Sequence, residues 1–244
     1  MASFPAQLPD LNRRTRIAPV WHTVVFLIVV MGLALVQGRQ QPSLENAHLS
    51  SRLPLYGAMI AFELALFSYV WLGLKLAGTR VRDVIGGKWT TAGDVARDAG
   101  IAVLFWLIVA GVLLTLEKLL GENTTGLGAV KALLPQGTVE IAVWIALCTT
   151  AGFCEELIFR GYLQRQLLAL TGRVDLAIVF QAIVFGLAHI YQGFKGVITI
   201  SIYGAMFGVL AAIRKSLRPG MMQHASQDIF SGIVGGMLAR RHYF

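Results

Sequence analysis

The sequence predicts an all-α protein, a polytopic membrane bundle of about seven helical spans. Of its 244 residues, 56% are hydrophobic and only 14% are charged, against about 25% charged in an ordinary soluble domain. The apolar residues gather into long blocks that are almost free of charge. A bilayer core about 30 Å thick takes about 20 such residues at ~1.5 Å each. The blocks are also far longer than the alternating segments of roughly ten residues that build an outer-membrane barrel. A soluble globule and a membrane β-barrel are both excluded.

The first span, near 19–36, is long and six more follow, so it reads as a span and not as a cleaved signal peptide. His22 sits at its mouth, where a polar packing contact or an interfacial position suits it. The second span, near 53–77, carries Glu63 alone, which reads as a polar packing residue. The third lies near 99–116. The short apolar segment Gly126 to Leu134 suits the interface or a re-entrant dip. The fourth span, near 139–160, holds Cys148 and Cys154, six residues apart on different helix faces and so outside disulfide range. The fifth lies near 174–190, the sixth near 196–213 and the seventh near 219–239, with Pro219 suited to a first helical turn. Gly204/Gly208 and Gly232/Gly236 have the spacing that lets membrane helices pack closely. No internal repeat is visible, and the polar stretches 1–18, 37–52 and 78–98 are too short to bury a core of their own.

The net charge of +8 is explained by topology. With a cytoplasmic N-terminus, the inside segments hold Arg13, Arg14 and Arg16; Lys75, Arg80, Arg82, Lys88 and Arg97; Arg160, Arg165 and Arg173; and Arg214, Lys215 and Arg218, two thirds of the 21 Lys and Arg. Basic residues so placed face anionic lipid, and no nucleic-acid partner is needed. The expected location is a multi-pass integral membrane protein with its N-terminus in the cytoplasm. Small size and short loops suit a bacterial inner membrane.

Ionisable groups inside spans are informative, because each costs roughly 2.5 to 3.5 kcal/mol at mid-bilayer unless it has a partner or a wet cavity. Glu155 and Glu156 stand side by side in the fourth span. Glu156 and Arg160 are stacked neighbours on one face, in the favourable order of acid before base, and form a structural ion pair. Glu155, turned about 100° away, has no local counterion and is the candidate general base. The turn after this span centres on Thr171-Gly172-Arg173. Glu155 lies 17 residues before Gly172 and His189 lies 17 after it, so equal hairpin arms bring them to one depth. In the last span His224 and Asp228 are one turn apart on a single face, able to share a ligand or to let the acid orient the ring.

Three motifs, in order on successive spans, carry a resemblance: Glu155-Glu156-x-x-x-Arg160 with Gly161-Tyr162-Leu163, then Phe185-x-x-x-His189, then His224-x-x-x-Asp228. Together they resemble the CPBP or Abi family, the CAAX prenyl proteases and bacteriocin-processing intramembrane proteases. The likeness covers about 139–240. It implies N-terminal spans and loops over 1–138 and a catalytic core over 139–244, in one integrated membrane domain. It also implies an endopeptidase acting on peptides or membrane-anchored proteins, with Glu155, Glu156, His189, His224 and Asp228 as catalytic residues. Asp228 stands where the family commonly has Asn. An ionised carboxylate donates no hydrogen bond, so an oxyanion-binding role there requires the protonated acid.

Peptide hydrolysis without Ser or Cys needs an activated water, and two versions fit these residue types. In the favoured one no cofactor is required: Glu155 and His189 hold the water, Glu155 takes its proton, and His224 stabilises the oxyanion. In the other, members of the set Glu155, His189, His224 and Asp228 ligate zinc, although the H-E-x-x-H spacing is absent. A proton or cation transporter, or an immunity scaffold that binds peptides without cutting them, would use the same buried cluster. The absence of an inverted repeat and of an acid ladder across the membrane argues against transport. The favoured reading also expects Glu155, His189 and His224 to converge within about one water's reach, in a cavity open towards the cytoplasm. That convergence needs the fourth and fifth helices to project well past the start of the last one, because His224 is only five residues beyond Pro219.

Overall fold

A computed structural model of the chain describes residues 15–45, 50–121 and 127–241. Arg13 and Arg14 of the charge pattern, together with Gly126, fall outside them. The order is α1 (Val20–Glu45), α2 (Leu53–Leu76), α3 (Val81–Ile85), α4 (Ala92–Leu120), α5 (Leu127–Leu133), α6 (Thr138–Glu155), a π-helical stretch (Glu156–Leu163), α7 (Gln164–Thr171), α8 (Val174–Leu187), a 3-10 turn (Ile190–Gln192), α9 (Gly193–Arg214) and α10 (Arg218–Arg241). Among the described residues there is no strand, in keeping with the all-α expectation.

By length and hydropathy, five segments of the described chain can cross a membrane: Val20–Gln40, Leu53–Leu76, Ala92–Leu120, Thr138–Thr171 and Ile190–Arg214. The expected count of seven is not reproduced by that measure. The fifth expected span is α8, only 14 residues long. The seventh is α10, long enough but too polar, because Gln223, His224, Gln227 and Asp228 all lie on it.

Local chemistry sets the helix ends. Thr91 and Asp94 close a reciprocal capping box at the start of α4. Gly172 ends α7 in the left-handed region, at φ 68°, and so makes the tight turn into α8. Pro219 occupies the first turn of α10 as expected. Polar ties between helices hold the ends together. Glu140 accepts from the backbone N–H of Arg52 and of Gln136, joining the starts of α2 and α6. Asp98 accepts from the Trp89 indole and pairs with Arg214, joining α4 to the end of α9.

The register of α6 against α10 decides where the site forms. A β-carbon added at Gly152 would stand 2.7 Å from the backbone nitrogen of Ala225, so the two helices touch at this level. One at Gly161 would meet Val84 and Leu217, which puts the start of α10 beside the middle of the π-helical stretch. The rod from Thr138 to Thr171 therefore runs about ten residues past the start of α10. This is the projection that the convergence of Glu155 with His224 requires. The expected glycine pairs are also packing sites: Gly204 and Gly208 face α8, while Gly232 and Gly236 face Trp144 and Pro135.

His22 is a polar packing residue of the core and not an interfacial one. Fully buried, it lies 2.8 Å from the Tyr162 hydroxyl through Nδ1 and 3.0 Å from the Tyr69 carbonyl through Nε2. The segment after Gly126 turns inward as α5, where Ala129 is buried and the Leu133 carbonyl accepts from the Tyr56 hydroxyl. Both cysteines are buried and unpaired.

Candidate active site

Glu155 is the last residue of α6 and Glu156 the first of the π-helical stretch. Such a widened turn inside a helix is frequent at functional sites. Sequence spacing separates the two carboxylates onto different faces, yet both meet the same imidazole. His224 Nδ1 lies 3.1 Å from Glu156 Oε1, and His224 Nε2 lies 3.6 Å from Glu155 Oε2 and 3.5 Å from Asp228 Oδ2. The ring-orienting acid is therefore Glu156, from another helix. Asp228, one turn along α10, shares the outward nitrogen with Glu155.

The expected pair of Glu156 and Arg160 is present at 3.0 Å, with both side chains buried. Arg160 also donates to the Gly204 carbonyl at 3.2 Å. Its guanidinium lies over the rings of Phe185 and Phe207, at 4.3 and 5.0 Å. A cation so enclosed is held by the acid, a carbonyl and two ring faces together.

His189 follows the last turn of α8 and lies 2.9 Å from the Phe185 carbonyl through Nδ1. With that nitrogen carrying the proton, Nε2 is the lone-pair atom. His189 lines a chamber of about 1040 Å³ together with Glu155, His224 and Asp228, so all four share one space. Glu63, Tyr191, Tyr203 and Gln227 line it too. Glu63, expected as a polar packing residue, shares this space with Glu155, and a lone acid in a span was the available signal. The tyrosines carried no signal, being ordinary residues of apolar helices.

The chamber's other walls are the 30–37 part of α1, the 59–66 part of α2, α5 and the 231–238 part of α10. These lie in the half of the bundle away from the turn between α7 and α8.

Zinc would need at least three converging ligands from Glu155, His189, His224 and Asp228. Nδ1 of His224 is engaged by Glu156 and Nδ1 of His189 by a backbone carbonyl, which leaves the Nε2 atoms as the available ring nitrogens. Among the described residues, no group of three or more His, Cys, Asp or Glu side chains is arranged to hold a metal ion.

A bundle of apolar helices enclosing a chamber, with carboxylates and imidazoles gathered on one wall, is a polytopic membrane protein with a buried acid–histidine centre. Residues 137–230 match the family model described as type II CAAX prenyl endopeptidase, Rce1-like, so this part of the chain is similar to the CAAX-type intramembrane proteases. The matched segment, about two fifths of the chain, contains Glu155, Glu156, Arg160, His189, His224 and Asp228. No curated protein and no solved structure matches the chain.

Proposed function

We propose that the protein hydrolyses peptide bonds with a water held by Glu155 and His189, and that His224 stabilises the oxyanion. The observation that carries this reading is the 3.6 Å approach of Glu155 to His224 Nε2 at the wall of a chamber large enough for a peptide segment. Glu155 takes a proton from water, and the hydroxide adds to the scissile carbonyl carbon. With both ring nitrogens of His224 protonated, Nδ1–H donates to Glu156 while Nε2–H is left for the developing oxyanion. Collapse of the tetrahedral intermediate breaks the C–N bond, and Glu155 returns its proton to the departing amine. His189 Nε2 accepts from the water and orients it. Arg160 holds Glu156, which holds His224.

The substrate in this reading is a peptide or a membrane-anchored protein, with the lipid bilayer as the other partner. The protein sits in a bacterial inner membrane with its N-terminus in the cytoplasm. This reading requires no cofactor. The test is cleavage of fluorophore-quenched casein by protein reconstituted in liposomes. Parent protein should cut it, and Glu155→Gln protein of normal fold should not. Equal cleavage by both would sink the reading, and ion flux through the liposomes without cleavage would favour a transporter.

A further inference from the structure

Glu63 is an intramembrane acid that the mechanism above does not use. It sits in the middle of α2, a span too apolar to keep a carboxyl group without a partner. Of the charged groups around it, Glu155 bears on it most strongly. Both line the same chamber, and each keeps its Oε2 buried without a hydrogen-bond partner. Two bare carboxylates can only accept, so a hydrogen bond between them holds a proton. Glu63 is the natural donor, because Glu155 has the His224 imidazole on its other side.

We propose that Glu63 is a positioning residue for the general base: its carboxyl O–H donates to Glu155 and turns the remaining lone pairs of Glu155 toward the water and His224. A carboxylate at the end of α6 otherwise rotates about its terminal bond. A single donated hydrogen bond from a neighbouring helix fixes which oxygen faces the substrate. The bond comes from α2, outside the matched segment 137–230, so the N-terminal helices would complete the site as well as support it. The inference rests on Glu155 being the base.

The test compares parent, Glu155→Gln, Glu63→Gln and Glu63→Leu proteins in liposomes on quenched casein, with thermal melting alongside. Glu63→Leu should lose on the order of 10- to 100-fold in kcat, the worth of one hydrogen bond to a charged group. Its KM should stay within about twofold, because the bond acts on the base and not on substrate binding. The amide of Glu63→Gln donates the same bond and should keep kcat within about threefold of the parent. A tie that merely fastens α2 to α6 would not give this split. Parental kcat in Glu63→Leu overturns the inference, as does equal loss in the Gln and Leu variants or a loss confined to KM. If Glu63→Leu fails to fold, Glu63→Met takes its place with the same expectations. An inactive parent, or an active Glu155→Gln protein, overturns the proposed function and this inference with it. An active parent and a dead Glu155→Gln protein beside a fully active Glu63→Leu protein overturn this inference alone.

Discussion

Glu156 Oε1 lies 3.1 Å from His224 Nδ1 and 3.0 Å from Arg160 Nη1, so one buried oxygen ties the imidazole of α10 to the guanidinium of the π-helical stretch. The two adjacent glutamates thus divide between the two nitrogens of one ring.

Replacing each glutamate by Gln should therefore give different proteins. Glu155→Gln should abolish turnover and leave the melting temperature unchanged. Glu156→Gln leaves the Arg160 cation uncompensated and should cost about 3 to 5 kcal/mol of stability, lowering activity as His224 loses its anchor. Thermal melting of the two purified variants decides it. Equal melting with equal loss of activity would show the roles wrongly divided.

Asp228 shares His224 Nε2 with Glu155 at 3.5 Å. If no metal takes part, Asn can stand there, so Asp228→Asn should keep a substantial part of the activity and chelators should do little. Stoichiometric zinc in active protein, lost together with activity in the Asn variant, would instead establish a metalloprotease.

Gly152 sets the spacing of α6 from α10, and a methyl group there meets the Ala225 backbone. Gly152→Ala should destabilise the protein by about 1 to 3 kcal/mol through overpacking. It should also reduce kcat more than its melting temperature explains, because it moves Glu155 and His224 apart. A variant with parental kcat would mean that the site tolerates a wider gap.

On the loop side, the Arg80 guanidinium bonded to Asp83 at 2.7 Å holds the Asp83 carboxyl below its usual range. A carboxyl depressed in the folded state adds stability above its unfolded value and loses it as pH falls through the folded one. Melting followed down through about pH 4 should show a shallower acid-side decline in Asp83→Asn than in the parent. The effect should be small, since the pair is partly exposed. Identical slopes would remove Asp83 from the acid response.

The sequence revealed most where partners sit within one helical turn. The Glu156–Arg160 pair and the shared face of His224 and Asp228 follow from spacing of four, and the turn at Gly172 follows from its composition. Contacts between distant helices were not legible. Glu63 reads as a lone acid because Glu155 is 92 residues away, and for His22 the packing and interfacial readings stay open because Tyr162 is 140 residues away. The π-helical stretch leaves no mark in residue type, so the meeting of Glu155 and Glu156 at one imidazole was hidden by the regular angle between neighbours. Span counting by apolar length faltered at α8 and α10, where the site itself makes one helix short and the other polar.

The unbroken helical rod of 34 residues from Thr138 to Thr171 is about 50 Å long at ~1.5 Å per residue. A hydrocarbon core of roughly 30 Å cannot contain it upright. It must tilt or stand out of the bilayer, and Glu155 is mounted on its middle. Acyl-chain length then becomes a variable of the reaction. A thicker membrane would straighten the rod against α10 and a thinner one would lean it, so lipid composition alone could tune the gap between base and imidazole.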